Sequence, residues 1–226
     1  MHLAWQRGIG IGVLAFVIAL GVHAPLLKAE AAQQLPRGQS VDQGMTDPAP
    51  VGALDVHAHM GPDSPQPSPR AVDVIDYAKM AKARGVRGFV IKYHSDETAP
   101  LAYLARKVVP GLEVFGSIVL NRAVGGINVE QVRHMAKVEG GWGRIVWMPT
   151  FDAEDAVRNS KDPNRPFVAV SRNGKLLPEV KELLGVIATT KTVDSNGELV
   201  LATGHLPPEE SLLVLREAKN RGVGTW

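Results

Sequence analysis

From Val51 onward the chain alternates short apolar runs with amphipathic stretches. Ala53–His59 reads as a strand, followed by a Pro-rich loop from Gly61 to Pro69. Ala71–Arg84 puts Val74, Ala78 and Ala81 on one helical stripe, and Gly85 stops it. Arg87–His94 is a second strand centred on Phe89-Val90-Ile91, and Thr98–Val108 a helix broken by Pro110-Gly111. Glu113–Leu120 is a third strand. Asn128 and Gln131 form a capping pair for a helix running to about Glu139. Gly143–Thr150 is a fourth strand, and the polar stretch 151–176 reads as an insertion with a small hairpin over Val168–Leu176. Pro178 opens a helix to Thr189. The Asn196-Gly197 turn lets Lys191–Val193 pair with Glu198–Leu201. Leu199–Thr203 supplies a fifth core strand. The last helix opens at Pro207-Pro208-Glu209-Glu210 and ends over Lys219–Gly222, with acids first and bases last as the helix dipole favours.

Repeated strand–helix units imply a parallel sheet with right-handed crossovers. An α/β fold results, either a (β/α) barrel or an open doubly wound sheet. No strand leads into a G-x-G-x-x-G or P-loop motif, so nothing favours a nucleotide, and Gly125-Gly126 reads as a tight turn.

The N-terminus changes the picture of location. Arg7 precedes an apolar run from Ile9 to Val22, shorter than the roughly 20 residues of a membrane span. Small residues follow at Ala29-Glu30-Ala31-Ala32, suited to cleavage. We therefore expect a signal peptide over 1–32, secretion or periplasmic export, and no stable membrane span after cleavage. Residues 33–50 read as a polar linker and 51–226 as the folded domain. The 226 residues carry a net charge of +2, which gives no reason to expect nucleic acid. The absence of cysteine excludes a thiolate metal site, a cysteine nucleophile and a lipid anchor on cysteine.

Candidate chemistry gathers at strand ends. Side chains alternate along a strand, so His57 and His59 share a face, with Asp55 deeper on it. Two imidazoles at i and i+2 can converge on one metal ion. The second strand ends Lys92-Tyr93-His94, and Lys92 and His94 also share a face. A buried ammonium needs a partner. Lys92 could pair with Asp55, bind an anionic substrate group, or be carboxylated and act as a ligand. The fifth strand ends in Gly204-His205, and His205 is a candidate ligand or acid/base. In a barrel these ends meet at the C-terminal face. His134 falls on a helix and is assigned no chemistry. Trp142 and Trp147 read as packing between helix and strand.

On these residues the chain resembles the amidohydrolase superfamily of metal-dependent (β/α) barrels. The resemblance rests on Asp55-Val56-His57-Ala58-His59, Lys92/His94, Gly125-Gly126-Ile127-Asn128, Trp147-Met148-Pro149-Thr150 and Ala202-Thr203-Gly204-His205, and spans about Val51 to Gly222. It implies a TIM-type barrel and one or two divalent metals, usually zinc, held by His57, His59 and His205. Two departures stand out. The superfamily's bridging lysine belongs on strand four, where this chain has Trp147-Met148-Pro149, and the final aspartate has no counterpart. About five of eight strand–helix units are visible, and a complete barrel takes about 250 residues. We therefore expect an incomplete barrel lacking its C-terminal part, with a possible homo-oligomer to cover it.

The expected function is hydrolysis of an amide, ester or lactone in a small-molecule substrate by a metal-activated water. His205, Lys92 and His94 are the catalytic candidates and His57, His59 and His205 the metal candidates. Two alternatives stay open. One is a phosphoesterase holding phosphate with Lys92 and Arg122. The other is a truncated, non-catalytic barrel that binds a metal or ligand.

Overall fold

The computed structural model describes residues 48–64 and 69–225. The expected signal peptide and nearly all of the expected linker lie outside the described residues. No helix among the described residues is long and apolar enough to cross a membrane.

Five parallel strands carry the fold: β1 (Leu54–Ala58), β2 (Gly88–Ile91), β3 (Glu113–Val119), β4 (Gly143–Trp147) and, after the insertion, β7 (Val200–Ala202). Between them run α1 (Val74–Ala83), α2 (Ala99–Val108), α3 (Val129–Ala136) and α5 (Pro178–Thr189). After β7 comes α6 (Pro208–Asn220), and β8 (Gly224–Thr225) then pairs parallel with β7. A sixth parallel strand of two residues therefore adds to the five expected. The sheet order is β1-β2-β3-β4-β7-β8. Spatial order follows chain order without reversal. A doubly wound sheet would reverse at a switch point, so that alternative is set aside.

The sheet is curled into a half-barrel. On a flat sheet β1 and β4 would stand three strand spacings apart, about 14 Å. The rings of His57 on β1 and Trp147 on β4 nevertheless approach to 5.0 Å between centroids across the concave face. Val90, Val119, Ile145, Trp147 and Ala202 pack on that face. The opposite faces of the strands meet the helices. Phe89, Ile91 and Val114 pack with Ala78, Ala102 and Ala105, while Ile118, Val146 and Leu201 pack with Val132, Leu183 and Val214.

The local signals explain the helix starts. Asp73 caps α1 by accepting from the backbone N–H groups of Ile75 and Asp76. Asn128 caps α3 through Gln131 N–H, as the pair predicted, although α3 ends at Ala136, short of Glu139. Pro178 and Pro208 occupy first-turn positions, where a missing N–H costs nothing. The 151–176 insertion holds the predicted hairpin, β5 (Ser171–Arg172) with β6 (Lys175–Leu176). It also holds a short helix, α4 (Glu154–Arg158), that the pattern did not show. Lys191 and Glu198 make a single antiparallel bridge across the Asn196-Gly197 turn.

Candidate functional site at the strand C-termini

Every chemical candidate on a strand end lies at the C-terminal edge of the half-barrel. His57 and His59 close β1, Lys92 and His94 follow β2, Asn121 follows β3, Thr150 and Phe151 follow β4, and His205 follows β7. Parallel strands expose their C-terminal ends together, so a polar residue just past each strand joins one rim.

His57 and His59 share a face as expected, and their Nε2 atoms are 3.1 Å apart. Lys92 Nζ lies 3.1 Å from the same His57 Nε2 and 4.6 Å from the centre of the Trp147 ring. Lys92 is 1% exposed. It makes no ion pair with Asp55. The Asp55 carboxylate instead accepts from Tyr77 Oη on α1 at 2.9 Å and from His57 N–H at 3.0 Å, beside an irregularity in the β1–β2 register. Trp147 is a second correction: it walls the site instead of packing under a helix. Trp142 does pack as expected, against the guanidinium of Arg106 on α2.

His94 stacks on His59 with ring centroids 5.0 Å apart and meets Phe151 at 4.2 Å. His205 stands 5.7 Å from Phe151 and 6.4 Å from His94, ring to ring. Its backbone is fixed by His205 N–H to the Pro149 carbonyl, 2.9 Å. The preceding Gly204 is required twice over. Its φ is +63°, and a Cβ there would meet the Met148 carbonyl oxygen at 2.2 Å.

Residues that carried no sequence signal hold this rim together. Asn121, 3% exposed, makes four bonds. Its Nδ2 donates to the His94 carbonyl (3.0 Å) and Thr150 Oγ1 (2.8 Å). Its Oδ1 accepts from the N–H groups of Thr150 (2.8 Å) and Asp152 (3.3 Å). Thr150 Oγ1 in turn is 2.9 Å from His94 Nδ1. Asp152 accepts from Arg122 N–H and from Arg165 Nη1, and Arg165 also bonds the Phe151 carbonyl. A cavity of about 490 Å³ opens beside His94, lined by Ser95, Asn121, Phe151, Asp152 and Arg165. Arg122 faces a different pocket, with Gly125, Gly126 and Phe167. Neither Arg122 nor Lys92 is among the residues lining the cavity beside His94.

Burial dominates the electrostatics. It holds His94 at about 3 and His59 at about 4, with the Lys92 charge adding to both. His57 and His205 are lowered for the same two reasons, and Asp55 opposes the shift at His57. Lys92 itself is brought down to about 8 by burial. All four imidazoles are therefore neutral at pH 7, the state in which a ring nitrogen can bind a metal.

Two imidazole nitrogens held at 2.0–2.1 Å from one ion at a tetrahedral angle lie about 3.3 Å apart. The His57/His59 pair is close to that spacing. The local bonding is also frustrated. His57 Nε2 offers one lone pair but has two nitrogen neighbours at hydrogen-bonding distance. Donor type and spacing fit a shared cation. No group of three His, Cys, Asp or Glu donors surrounds a single point among the described residues.

A family model described as "Family of unknown function (DUF6282)" matches residues 52–226. The chain belongs to the DUF6282 family. The match covers every strand and helix described above. No curated protein and no solved structure matches the chain.

Proposed function

We propose that this DUF6282 member is a metal-dependent hydrolase of small molecules, built on a TIM-type barrel scaffold of the amidohydrolase kind. One observation carries the reading: the His57 and His59 Nε2 atoms converge to 3.1 Å at the C-terminal rim, with the Lys92 amine at the same distance from His57. Two neutral imidazole nitrogens at this spacing suit chelation of one cation.

In this reading His57 and His59 hold a divalent ion, zinc being the expected one. The ion supplies Lewis acidity and lowers the pKa of water toward 7. The chain's own residues do the rest. Lys92, buried against Trp147, donates toward the reacting centre and stabilises negative charge that develops there. His94 is held by Thr150 and by the Asn121 strut, which fixes its ring against His59 and Phe151. His205 is exposed at the rim, as is His57, and is placed to pass a proton between the site and solvent. Phe151 and Trp147 limit water around the site. Export through the expected signal peptide places this activity outside the cytoplasm.

The test is reconstitution of the full chain with Zn²⁺, Mn²⁺ or Co²⁺ against amides, esters, lactones and phosphoesters. Turnover that requires added metal and disappears in His57→Ala supports the proposal. Metal-independent turnover, or turnover retained in His57→Ala, sinks it.

A further inference from the structure

Two cations matter at the rim, Arg165 in the lining of the cavity and Lys92 against His57 outside that lining, and their neutralisation differs. Arg165 is compensated: it donates Nη1–H to Asp152 Oδ1 and bonds the Phe151 carbonyl. Lys92 is not. It is 1% exposed, and no carboxylate forms an ion pair with it among the described residues, since Asp55 is engaged by Tyr77. Two cations act on the His94 ring, Lys92 and Arg70, and of these Arg70 is paired with Asp63 at 3.0 Å. A buried positive charge without a counter-charge is costly. The cavity lies beside His94, on whose ring the Lys92 charge acts, and an anion entering it can offset part of that cost.

The cavity has the parts to orient such an anion. A guanidinium has five N–H donors. Two groups of the chain engage Arg165, leaving three donors for a ligand. Asp152 accepts from Arg165 on one oxygen and from Arg122 N–H on the other, so it holds the fork in place. Phe151, 42% exposed, packs against His94 and His205 and presents the rest of its apolar surface to the cavity. A volume of about 490 Å³ lies within the range of small-molecule sites. One planar fork and one uncompensated charge suit a monoanion better than a phosphate dianion.

We propose that the substrate is an organic carboxylate, its carboxylate on Arg165 and its apolar body against Phe151, which directs the bond to be cleaved toward the histidine rim. This names the substrate class for the hydrolase proposed above and rests on that reading for its chemistry. Carboxylate binding itself does not require the metal.

The test uses the EDTA-treated full chain, titrated by NMR with benzoate and with benzamide as its neutral counterpart. Benzoate should bind about tenfold or more tighter than benzamide, as expected when a charge-assisted pair is present in one and absent in the other. The preference should shrink with added salt. Arg165→Gln should abolish it, and Phe151→Ala should weaken both ligands alike. Equal binding of the two ligands, or no binding of benzoate to folded protein at tens of millimolar, overturns the proposal. The same comparison in wild type and Phe151→Ala remains decisive if Arg165→Gln does not fold. Because these titrations are metal-free, their failure is separate from failure of the metal site, which metal content reports.

Discussion

Asn121→Ala removes the strut that joins the ends of β2, β3 and β4. In the folded chain the side chain is buried and makes four hydrogen bonds. Truncation leaves the His94 carbonyl and the Thr150 N–H without those partners, at positions 7% and 0% exposed. Each buried group left unmet costs about 1–3 kcal/mol. Thr150 Oγ1 keeps His94 Nδ1, and Asp152 N–H loses only a long bond. Water from the adjoining cavity offsets part of the loss. The net expectation is about 3 kcal/mol, or a fall in Tm of about 6–12 °C for a domain of this size. Urea denaturation with an unchanged m-value is the assay. Asn159→Ala is the control, because that exposed side chain bonds only Asp155, and it should move stability by under about 0.5 kcal/mol. A loss below about 1 kcal/mol in Asn121→Ala would refute the account of the rim as a fixed polar frame.

Other perturbations probe the buried charge, the imidazoles and the turn. Lys92, lowered to about 8 from an ordinary 10.5, is less readily protonated folded than unfolded. Stability should therefore rise with pH between about 8 and 10.5, and Lys92→Met should be the more stable protein at pH 7 and lose that rise; a flat wild-type profile over this window contradicts the reading. His94 and His59, near 3 and 4 folded, bind protons more weakly than in the unfolded chain. Their contribution to stability is complete above about pH 6.5 and is lost as pH falls toward 4 and 3, an acid limb that His94→Gln should flatten in equilibrium unfolding. Gly204→Ala meets both a φ of +63° and the Met148 carbonyl, and should cost more than about 2 kcal/mol; a smaller loss would mean the turn before His205 can relax.

The architecture was legible because each level of the sequence agreed. Alternating strand and helix periods, the Asn128 cap, Pro178 and the Pro207-Pro208 start all pointed to the same elements. The five-residue α4 escaped because its N-cap position is Ala153, which offers no capping side chain, and its brief amphipathic pattern is lost in a polar insertion. The histidines were legible because imidazole at a strand end is chemically unusual. Asn121, Phe151 and Arg165 were not, and Thr150 was legible only as part of the Trp147–Thr150 motif, since none is unusual by type and only the lateral adjacency of β2, β3 and β4 brings them together. The available signal was positional, a polar residue immediately after each apolar strand. Trp147 was misassigned because pattern alone does not reveal which face of a curled sheet is concave. Asp55 was placed deeper on the face of His57 and His59 by strict alternation, which the irregular β1–β2 register breaks.

The central claim is that His57 and His59 form a metal-binding pair, and elemental analysis tests it most directly. The full chain, purified without chelator, exposed to Zn²⁺ and desalted, should retain about one equivalent or more, and folded His57→Ala and His59→Ala variants should each retain little. A folded wild-type protein that retains no metal, or variants that retain as much as wild type, would contradict it.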